Sequence, residues 1–275
     1  MRRTAPRLAS HAILIVFTIV SGYPLLWMIF GSLKHQGEFY TNLWFFPSKW
    51  EWGNYAAAWH TAKLGVTYSN SVIVTGVTML LVLLIAYLGA YALARFEFPG
   101  NRTVMVLFLS TLMIPGQVTI IPLYQVELTL GIYNTHWGLI LPYVAGGLPF
   151  AIFLMTAFIR AIPRELDESA GMDGCSRLGI LWKIVFPLTK PAMATLIILT
   201  FIGVWNEFFL ALVMIQDPLL RTIPVGMMYF NQVFGMADLT QIFAAMSIVM
   251  IPVVFVYVAF QKYFISGLTQ GALKM

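Results

Sequence analysis

Charge is scarce in this 275-residue chain, since only 10% of its residues are Asp, Glu, Lys or Arg while 60% are hydrophobic. A soluble globular domain has about 25% charged residues, so a chain of this size has too little polar surface to face water on all sides. The mean hydropathy of +0.83 points to the same conclusion. The composition therefore predicts a polytopic membrane protein in which one membrane domain accounts for the whole chain.

Residues and motifs that carry catalytic or ligand-binding chemistry are also few. The single cysteine, Cys175, excludes an intrachain disulfide. The sequence contains no G-x-x-x-x-G-K-[ST] phosphate loop, no H-E-x-x-H metal motif and no G-x-S-x-G nucleophile elbow. We therefore expect no catalytic residue, no metal site and no cofactor bound by this chain. A nucleic-acid partner is not expected either, because the basic residues fall in short segments between apolar runs rather than in one stripe.

Six apolar stretches are long enough to cross a bilayer, whose core of about 30 Å needs about 20 residues of helix. They run over 11–33, 71–94, 103–126, 137–159, 191–216 and 242–261. We expect an all-α bundle of six transmembrane helices in a membrane domain of residues 11–264. The flanking segments are 1–10 at the N-terminus and 265–275 at the C-terminus.

Proline and glycine interrupt the third and fourth of these stretches. Helix breakers are tolerated inside a membrane bundle where neighbouring groups or water satisfy the freed carbonyls. They indicate either kinked helices beside a cavity or kinks that serve packing alone. The interrupting residues are Pro115, Gly116, Pro122, Pro142, Gly146, Gly147 and Pro149.

Basic residues set the expected orientation, because cytoplasmic loops of membrane proteins carry an excess of Lys and Arg. If the N-terminus is cytoplasmic, the inside segments hold 12 basic residues and the outside segments hold 4. We therefore expect both termini in the cytoplasm. The N-terminal apolar run resembles a secretory signal, but its length from His11 to Leu33 favours an uncleaved first span.

The expected outside segment 34–70 is rich in Trp, Tyr and Phe. Aromatic rings concentrate at the headgroup level of a bilayer, so one interpretation is an interfacial belt in contact with membrane lipid. The other interpretation is a docking platform for a partner outside the membrane.

We expect Glu207 to be the only acidic residue deep inside an apolar run, with Asn206 beside it. A carboxylate in hydrocarbon is costly, so it should face the bundle interior or a wet cavity. Three roles are open for it: contact with a transported solute, a proton relay, or a buried acid that joins helices by hydrogen bonds. Gln117 and Tyr143, on the interrupted spans, are weaker candidates for a substrate pathway, since helix–helix hydrogen bonds would also explain them.

The segment 160–188 is polar and charged, although it lies between two apolar runs. Gly174 suits a left-handed helix stop, and Ser176 suits the cap of a second short helix. Pro187 and Pro191 are expected to end that helix and start the fifth span. The two short helices either dock onto a soluble partner or lie on lipid headgroups. The acidic residues of the segment favour the first interpretation, because anionic lipid would repel them.

The same segment resembles the E-A-A-x-x-D-G loop of importer permeases that are powered by separate ATPase subunits, the binding-protein-dependent ABC importers. The residues that match by position are Glu168, Ala170, Asp173, Gly174, Ile184 and Pro187, with Ser169 in place of the usual alanine. Other pieces resemble the second membrane subunit of maltose-type sugar importers. These pieces are Pro122–Tyr124, Ile162–Leu166, Trp205–Phe208, Thr222–Gly226 and Gly267–Lys274.

The resemblance implies a membrane-spanning subunit of an ATP-driven importer for a sugar or sugar derivative, in the bacterial cytoplasmic (inner) membrane. It also implies a homologous second permease, two copies of a cytoplasmic ATPase that binds ATP and Mg²⁺, and an extracytoplasmic solute-binding protein. The loop from Glu168 to Gly174 would contact the ATPase. The second permease would grip much of the cargo.

The cargo is open to other assignments, such as a polyol, a glycerol phosphate ester or an oligosaccharide. No basic residue lies deep inside the predicted spans, which favours a neutral solute over an anionic one. The alternative from another functional class is an ion-coupled secondary transporter or channel that uses Glu207 and needs no ATPase.

Overall fold

The chain is helical throughout the part that the structure describes. The computed structural model describes the backbone of residues 4–44, 46–233 and 238–272, and no β-strand occurs within these ranges. The predicted all-α membrane fold is confirmed. Of the predicted C-terminal segment 265–275, the last three residues lie outside the described part.

The helices are numbered in chain order, and turns with recognisable local chemistry separate them. Gly131, with φ of +68°, ends α6, and the Thr135 side chain accepts a hydrogen bond from the first turn of α7. The bounds are α1 Thr4–Ser32, α2 Gln36–Thr41, α3 Gly53–Thr61, α4 Leu64–Arg95, α5 Asn101–Thr111, α6 Ile120–Leu130, α7 His136–Arg160, α8 Glu165–Met172, α9 Arg177–Trp205, α10 Phe209–Met214, α11 Ile223–Val233 and α12 Leu239–Ala272.

Five of the described helices, α1, α4, α7, α9 and α12, contain a stretch long and apolar enough to cross a bilayer. The predicted third span is broken instead: α5 and the segment Gly116–Leu130 meet at an angle of 91°. Pro115 lies at this break, where it has no N–H to donate and disfavours helical backbone at the residue before it. The six predicted crossings therefore correspond to five continuous helices and one bent pair.

The fifth crossing differs most from the prediction. The expectation that Pro187 and Pro191 end one helix and start another is wrong, because α9 continues from Arg177 to Trp205. A π-helical turn occupies Ile180–Val185, and Pro187 stands in the first turn of the regular α-helix that follows. At that position the missing N–H of proline is tolerated. The other end of this crossing also differs from the prediction. The predicted span reaches residue 216, whereas α9 ends at Trp205 and a separate helix, α10, follows it.

The described chain divides into two compact units, Met1–Gly65 with Gly226–Ile251, and Val66–Val225 with Pro252–Met275. In the smaller unit, α1 meets α12 through aromatic rings. The ring centroids of Trp27 and Phe243 lie 5.1 Å apart. Much of the remaining α1 surface is exposed apolar side chains, as expected for a helix that faces lipid or another apolar surface.

The segment after α1 in the smaller unit is held by polar contacts. Lys34 is buried and donates to the carbonyls of Asn42 and Leu43, and desolvation lowers the pKa of its ammonium group. Burial alone would raise the pKa of Glu38. Hydrogen bonds from the Ser48 N–H, at 2.7 Å, and the Asn42 side chain, at 2.9 Å, outweigh burial, so the Glu38 pKa lies below its usual value.

The aromatic segment keeps several rings exposed. Trp44, Phe46 and Trp52 all lie largely on the surface, while Phe45 lies outside the described residues. An interfacial belt and a docking platform both need exposed rings, so both interpretations stay predictions.

In the larger unit, α7 packs against α5, α9 and α10. Small buried residues such as Ala86 and Ala90 on α4 and Ala151 on α7 allow close approach of helix backbones. The buried Tyr87 hydroxyl on α4 donates to the Leu181 carbonyl at 2.7 Å. That bond reaches the π-helical turn of α9, so α4 is tied to the start of the fifth crossing.

Candidate functional site

The polar segment after α7 folds as one short helix, α8, followed by a sharp turn. Acidic residues occupy the first turn of α8, where negative charge is favourable to a helix N-terminus. Glu168 and Ser169 are exposed, and Ala170 is half-buried. The first of the two predicted short helices is therefore present, and its acidic side is free to meet another molecule.

Gly174 ends α8 in the left-handed conformation, with φ of +79°. The Cys175 N–H donates to the Ala170 carbonyl at 2.9 Å and closes the turn. The Ser176 hydroxyl accepts a hydrogen bond from an N–H in the first turn of α9. The predicted glycine stop and serine cap are both confirmed. Asp173 and Gly174 are exposed, so they form the tip of the turn.

The other two predicted loop residues lie farther along, on α9. Ile184 is half-buried and Pro187 is exposed. Two apolar residues that flank the turn were not predicted to be on its surface: Met172 is 84% exposed and Leu178 is 68% exposed. Farther along α9, Ile180, Leu181 and Val185 are buried. Exposed apolar side chains beside an acidic helix are typical of a surface that another protein covers.

Arg95, the last residue of α4, fastens this segment to the second crossing. Its two terminal nitrogens each donate to the Ile162 carbonyl at 3.1 Å, and its Nε lies 2.8 Å from the Asp167 carboxylate. The Arg95 and Asp167 side chains are only 6% and 18% exposed. In the sequence, Arg95 is one of the 12 basic residues that favour a cytoplasmic N-terminus, and no local pattern indicates a contact between residues so far apart in the chain.

The predicted pathway residues Gln117, Tyr143 and Glu207 line one cavity of about 570 Å³. The rest of the wall is mainly apolar and comes from α6, α7 and the start of α10. Asn206 does not line this cavity, and its side-chain amide donates to the Ile202 carbonyl at 2.9 Å, at the end of α9. No group of three or more His, Cys, Asp or Glu side chains in the described ranges is placed to hold a metal ion.

Both carboxylate oxygens of Glu207 accept hydrogen bonds. Oε1 accepts from the Leu210 N–H at 2.8 Å, and Oε2 accepts from the Ala211 N–H at 3.1 Å and from the Tyr143 hydroxyl at 2.5 Å. The carboxylate thus satisfies the N–H groups at the start of α10, where the helix dipole favours an anion. Of the three roles left open by the sequence, this geometry favours the acid that joins helices.

Glu127 is a second acid inside the membrane-crossing segments, so the expectation that Glu207 was alone is wrong. Glu127 is 1% exposed on α6, and neither carboxylate oxygen has a hydrogen-bond partner among the described residues. A Cβ atom at Gly138 would lie 2.8 Å from its Oε2, so the two residues pack closely. Glu127 falls just past the predicted end of the third span, which is why the apolar pattern did not include it.

Residues 85–270 match the family described as "Binding-protein-dependent transport system inner membrane component". The chain belongs to this family. The matched range includes the bent third crossing, α8 with its turn, and α10. The resemblance stated from the sequence is therefore confirmed, and as a member of the family the chain is a multi-pass transport subunit of a membrane.

Relatives in this family match the chain over nearly its full length. It is 36% identical over 267 residues to the diacetylchitobiose uptake system permease protein NgcG of Streptomyces coelicolor, across 96% of this chain and 88% of the relative. It is 38% identical over 254 residues to the melibiose/raffinose/stachyose import permease protein MelC of Bacillus subtilis, across 91% of each chain.

A solved structure has the same fold. It is a bacterial ABC transporter involved in the import of the acidic polysaccharide alginate, with a TM-score of 0.81 and 24% identity, across 95% of this chain and 97% of that chain. This likeness bears on the fold alone. The arrangement of helices in this family member is thus found in an experimentally solved transporter.

Proposed function

We propose that this chain is the membrane-spanning permease subunit of an ATP-driven importer for a sugar or sugar derivative. The observation that carries the proposal is that relatives named for oligosaccharide uptake match 96% and 91% of the chain. The similarity is not confined to the loop from Glu168 to Gly174, which permeases with other cargoes would share. It extends through the crossings that surround the cavity.

The partners follow from the family, whose members depend on a separate binding protein. We infer an extracytoplasmic solute-binding protein, a homologous second permease and two copies of a cytoplasmic ATPase. ATP and Mg²⁺ would bind to the ATPase, since this sequence has no phosphate-binding loop. The complex would lie in the bacterial cytoplasmic membrane with both termini of this chain in the cytoplasm, as the distribution of basic residues favours.

The turn at Gly174 is the proposed contact with the ATPase. Glu168 offers an exposed carboxylate for charge-assisted hydrogen bonds, and Met172 offers exposed apolar surface. Closure of the ATPase dimer would displace α8. The Arg95 contacts with Ile162 and Asp167 would pass this displacement to α4, and alternating access would result from movement of packed helices.

The cavity that contains Gln117 is the proposed part of the substrate pathway. Its wall combines apolar surface with a few polar groups and contains no basic residue, which suits a neutral polyhydroxylated solute. The ion-coupled alternative requires a Glu207 carboxylate that is available to an ion or proton. Since both of its oxygens accept hydrogen bonds, that alternative has little support.

Two substitutions with matched controls test the coupling contact. Glu168→Gln removes a charge from α8, and Glu165→Gln removes another exposed charge from the same helix. We expect only the first to weaken ATPase co-purification, by about tenfold or more if one charge-assisted hydrogen bond is lost.

Gly174→Val strains the left-handed turn, whereas Gly171→Ala meets no atom within 4 Å and has no such strain.

Uptake into vesicles is the second measurement. Normal assembly and normal uptake in both Glu168→Gln and Gly174→Val would refute the coupling assignment. Accumulation of solute by the purified chain alone, abolished by an ionophore, would refute the ATP-driven importer and support the ion-coupled alternative.

A further inference from the structure

A groove at the arginine-rich ends of α4, α5 and α7 shares Arg95 with the proposed coupling contact, but its other residues have no part in the proposed transport mechanism. It has a volume of about 630 Å³ and lies within the larger unit. Its walls are the last turn of α4, the connection 96–100, the first turn of α5, the end of α7 and the connection that follows α7. Four arginines line it, namely Arg95, Arg102, Arg160 and Arg164.

The positive charge in this groove is only partly compensated. Asp167 neutralises Arg95, and Glu97 lies 3.3 Å from Arg164 with both side chains largely exposed. Within the described part of the chain, neither Arg102 nor Arg160 has a carboxylate within 4.0 Å. Arg160 donates to the Leu93 carbonyl at 3.1 Å, which fixes the position of its side chain but does not neutralise its positive charge. Two guanidinium charges therefore face a concave surface without a counter-ion.

The start of α5 adds to this positive potential. Gly100 stands at the cap position with φ of +89°, and no side chain caps the helix. The Asn101 side chain donates instead to the carbonyls of Leu93 and Phe96, at 3.1 and 2.9 Å. The first-turn residues of α5 line the groove, so the positive end of the helix dipole acts in the same place as the arginines.

Apolar surface continues from the groove along α5. Phe96 and Phe98 are exposed in the connection, and Val104 and Leu107 are exposed on the helix beyond it. Because α5 belongs to the bent pair that is long and apolar enough to cross a membrane, we expect the groove at its start to lie where headgroups meet acyl chains. A ligand with a phosphate and a hydrocarbon tail matches both surfaces, whereas a free phosphate would match only the arginines.

We propose that this groove binds the phosphate of an anionic phospholipid, with Arg102 and Arg160 contacting the phosphate and the exposed side of α5 contacting an acyl chain. Basic pockets between membrane helices are a recognised way to hold anionic headgroups. The inference concerns this chain and its bilayer, so it can fail while the proposed transport function stands. Its rival is that the arginines serve only to orient the chain in the membrane.

The test compares lipid binding by the purified full chain and by the double variant Arg102→Gln/Arg160→Gln. Native mass spectrometry would measure the affinity for phosphatidylglycerol and for phosphatidylcholine, with inorganic phosphate as a competitor. The matched control is Lys190→Gln, an exposed basic residue on α9 that does not line the groove. Each basic residue near an anionic surface raises the affinity for it about fivefold. We therefore expect the affinity for phosphatidylglycerol to fall about thirtyfold in the double variant and to stay unchanged in the control.

Several results would overturn the proposal. These are equal affinity for both lipids in the unaltered chain, an equal loss in Lys190→Gln, or displacement of phosphatidylglycerol by millimolar phosphate. Loss of ATPase co-purification in the double variant with unchanged lipid affinity would assign the groove to a protein partner instead. If the double variant does not fold, Arg102→Gln alone can be tested. This variant should fold, because the Arg102 side chain forms no hydrogen bond or ion pair with the described residues. Its affinity for phosphatidylglycerol should fall about fivefold.

Discussion

Replacement of Arg95 with glutamine tests whether α8 and α4 move together. Arg95 holds α8 through Asp167 and holds the preceding connection through the Ile162 carbonyl. Glutamine carries no charge and is too short to make both contacts. We therefore expect the variant to assemble with its ATPase, because the exposed turn is intact, but to hydrolyse ATP with little uptake.

The expected loss of stability follows from the burial of this pair. Removal of one partner of a buried ion pair costs about 3–5 kcal/mol, because the remaining charge is left without compensation. The side chains are 6% and 18% exposed, so a value near the lower end, about 3 kcal/mol, is expected. Asp167→Asn should cost about 1.5 kcal/mol, since Arg95 keeps both bonds to Ile162.

A double-mutant cycle separates the contact from its surroundings. We expect Arg95→Gln/Asp167→Asn to be more stable than the sum of the single changes by about 1–3 kcal/mol, measured by denaturant unfolding in micelles. Arg164→Gln is the control, since its exposed pair with Glu97 should contribute about 0–1 kcal/mol. Additive effects at Arg95 and Asp167 together with a normal ratio of uptake to ATP hydrolysis would refute the reasoning.

Three further predictions rest on single contacts. Gly138→Ala brings a Cβ within 2.8 Å of the Glu127 carboxylate and should lower stability by about 1–3 kcal/mol, while Gly146→Ala, with no atom within 4 Å, should be tolerated in a thermal unfolding assay. Glu207→Gln should cost about 1–2 kcal/mol because its amide nitrogen cannot accept an N–H, and the pH profile of uptake should keep its shape. The pKa of Glu38 in the folded chain is lowered, so its contribution to stability is present above its usual pKa of 4.5 and is lost as pH falls through the folded pKa. Unfolding followed by Trp fluorescence should show this loss of stability at low pH. The variant Glu38→Gln should not show this pH dependence.

Features that depend on local sequence were predictable. Long apolar runs specify helices that cross a membrane, because a backbone in hydrocarbon must satisfy its own hydrogen bonds. Gly174 and Ser176 act within one turn of themselves, so their conformations could be inferred from their neighbours.

Features that depend on distant contacts were not predictable. Arg95 meets Asp167 only because α4 and α8 are brought together by the fold. The continuity of α9 through Pro187 was missed because proline breaks helices in water, whereas a packed membrane helix can accommodate it. Glu127 was missed because the bend at Pro115 lets the crossing extend to Leu130, beyond the apolar window.

The breaks before α6 and α10 determine which polar groups of the cavity already have hydrogen-bond partners. Breaks inside a membrane leave backbone groups that must find partners, and Glu207 provides them for the start of α10. A carboxylate engaged in this way cannot exchange its hydrogen bonds for those of a passing sugar without destabilising the break. Gln117, on the turn that follows Pro115, is exposed and its amide forms no hydrogen bond with the described residues. If the proposed function holds, a neutral hydroxyl-bearing solute would therefore contact Gln117, while Glu207 holds the start of α10 in place.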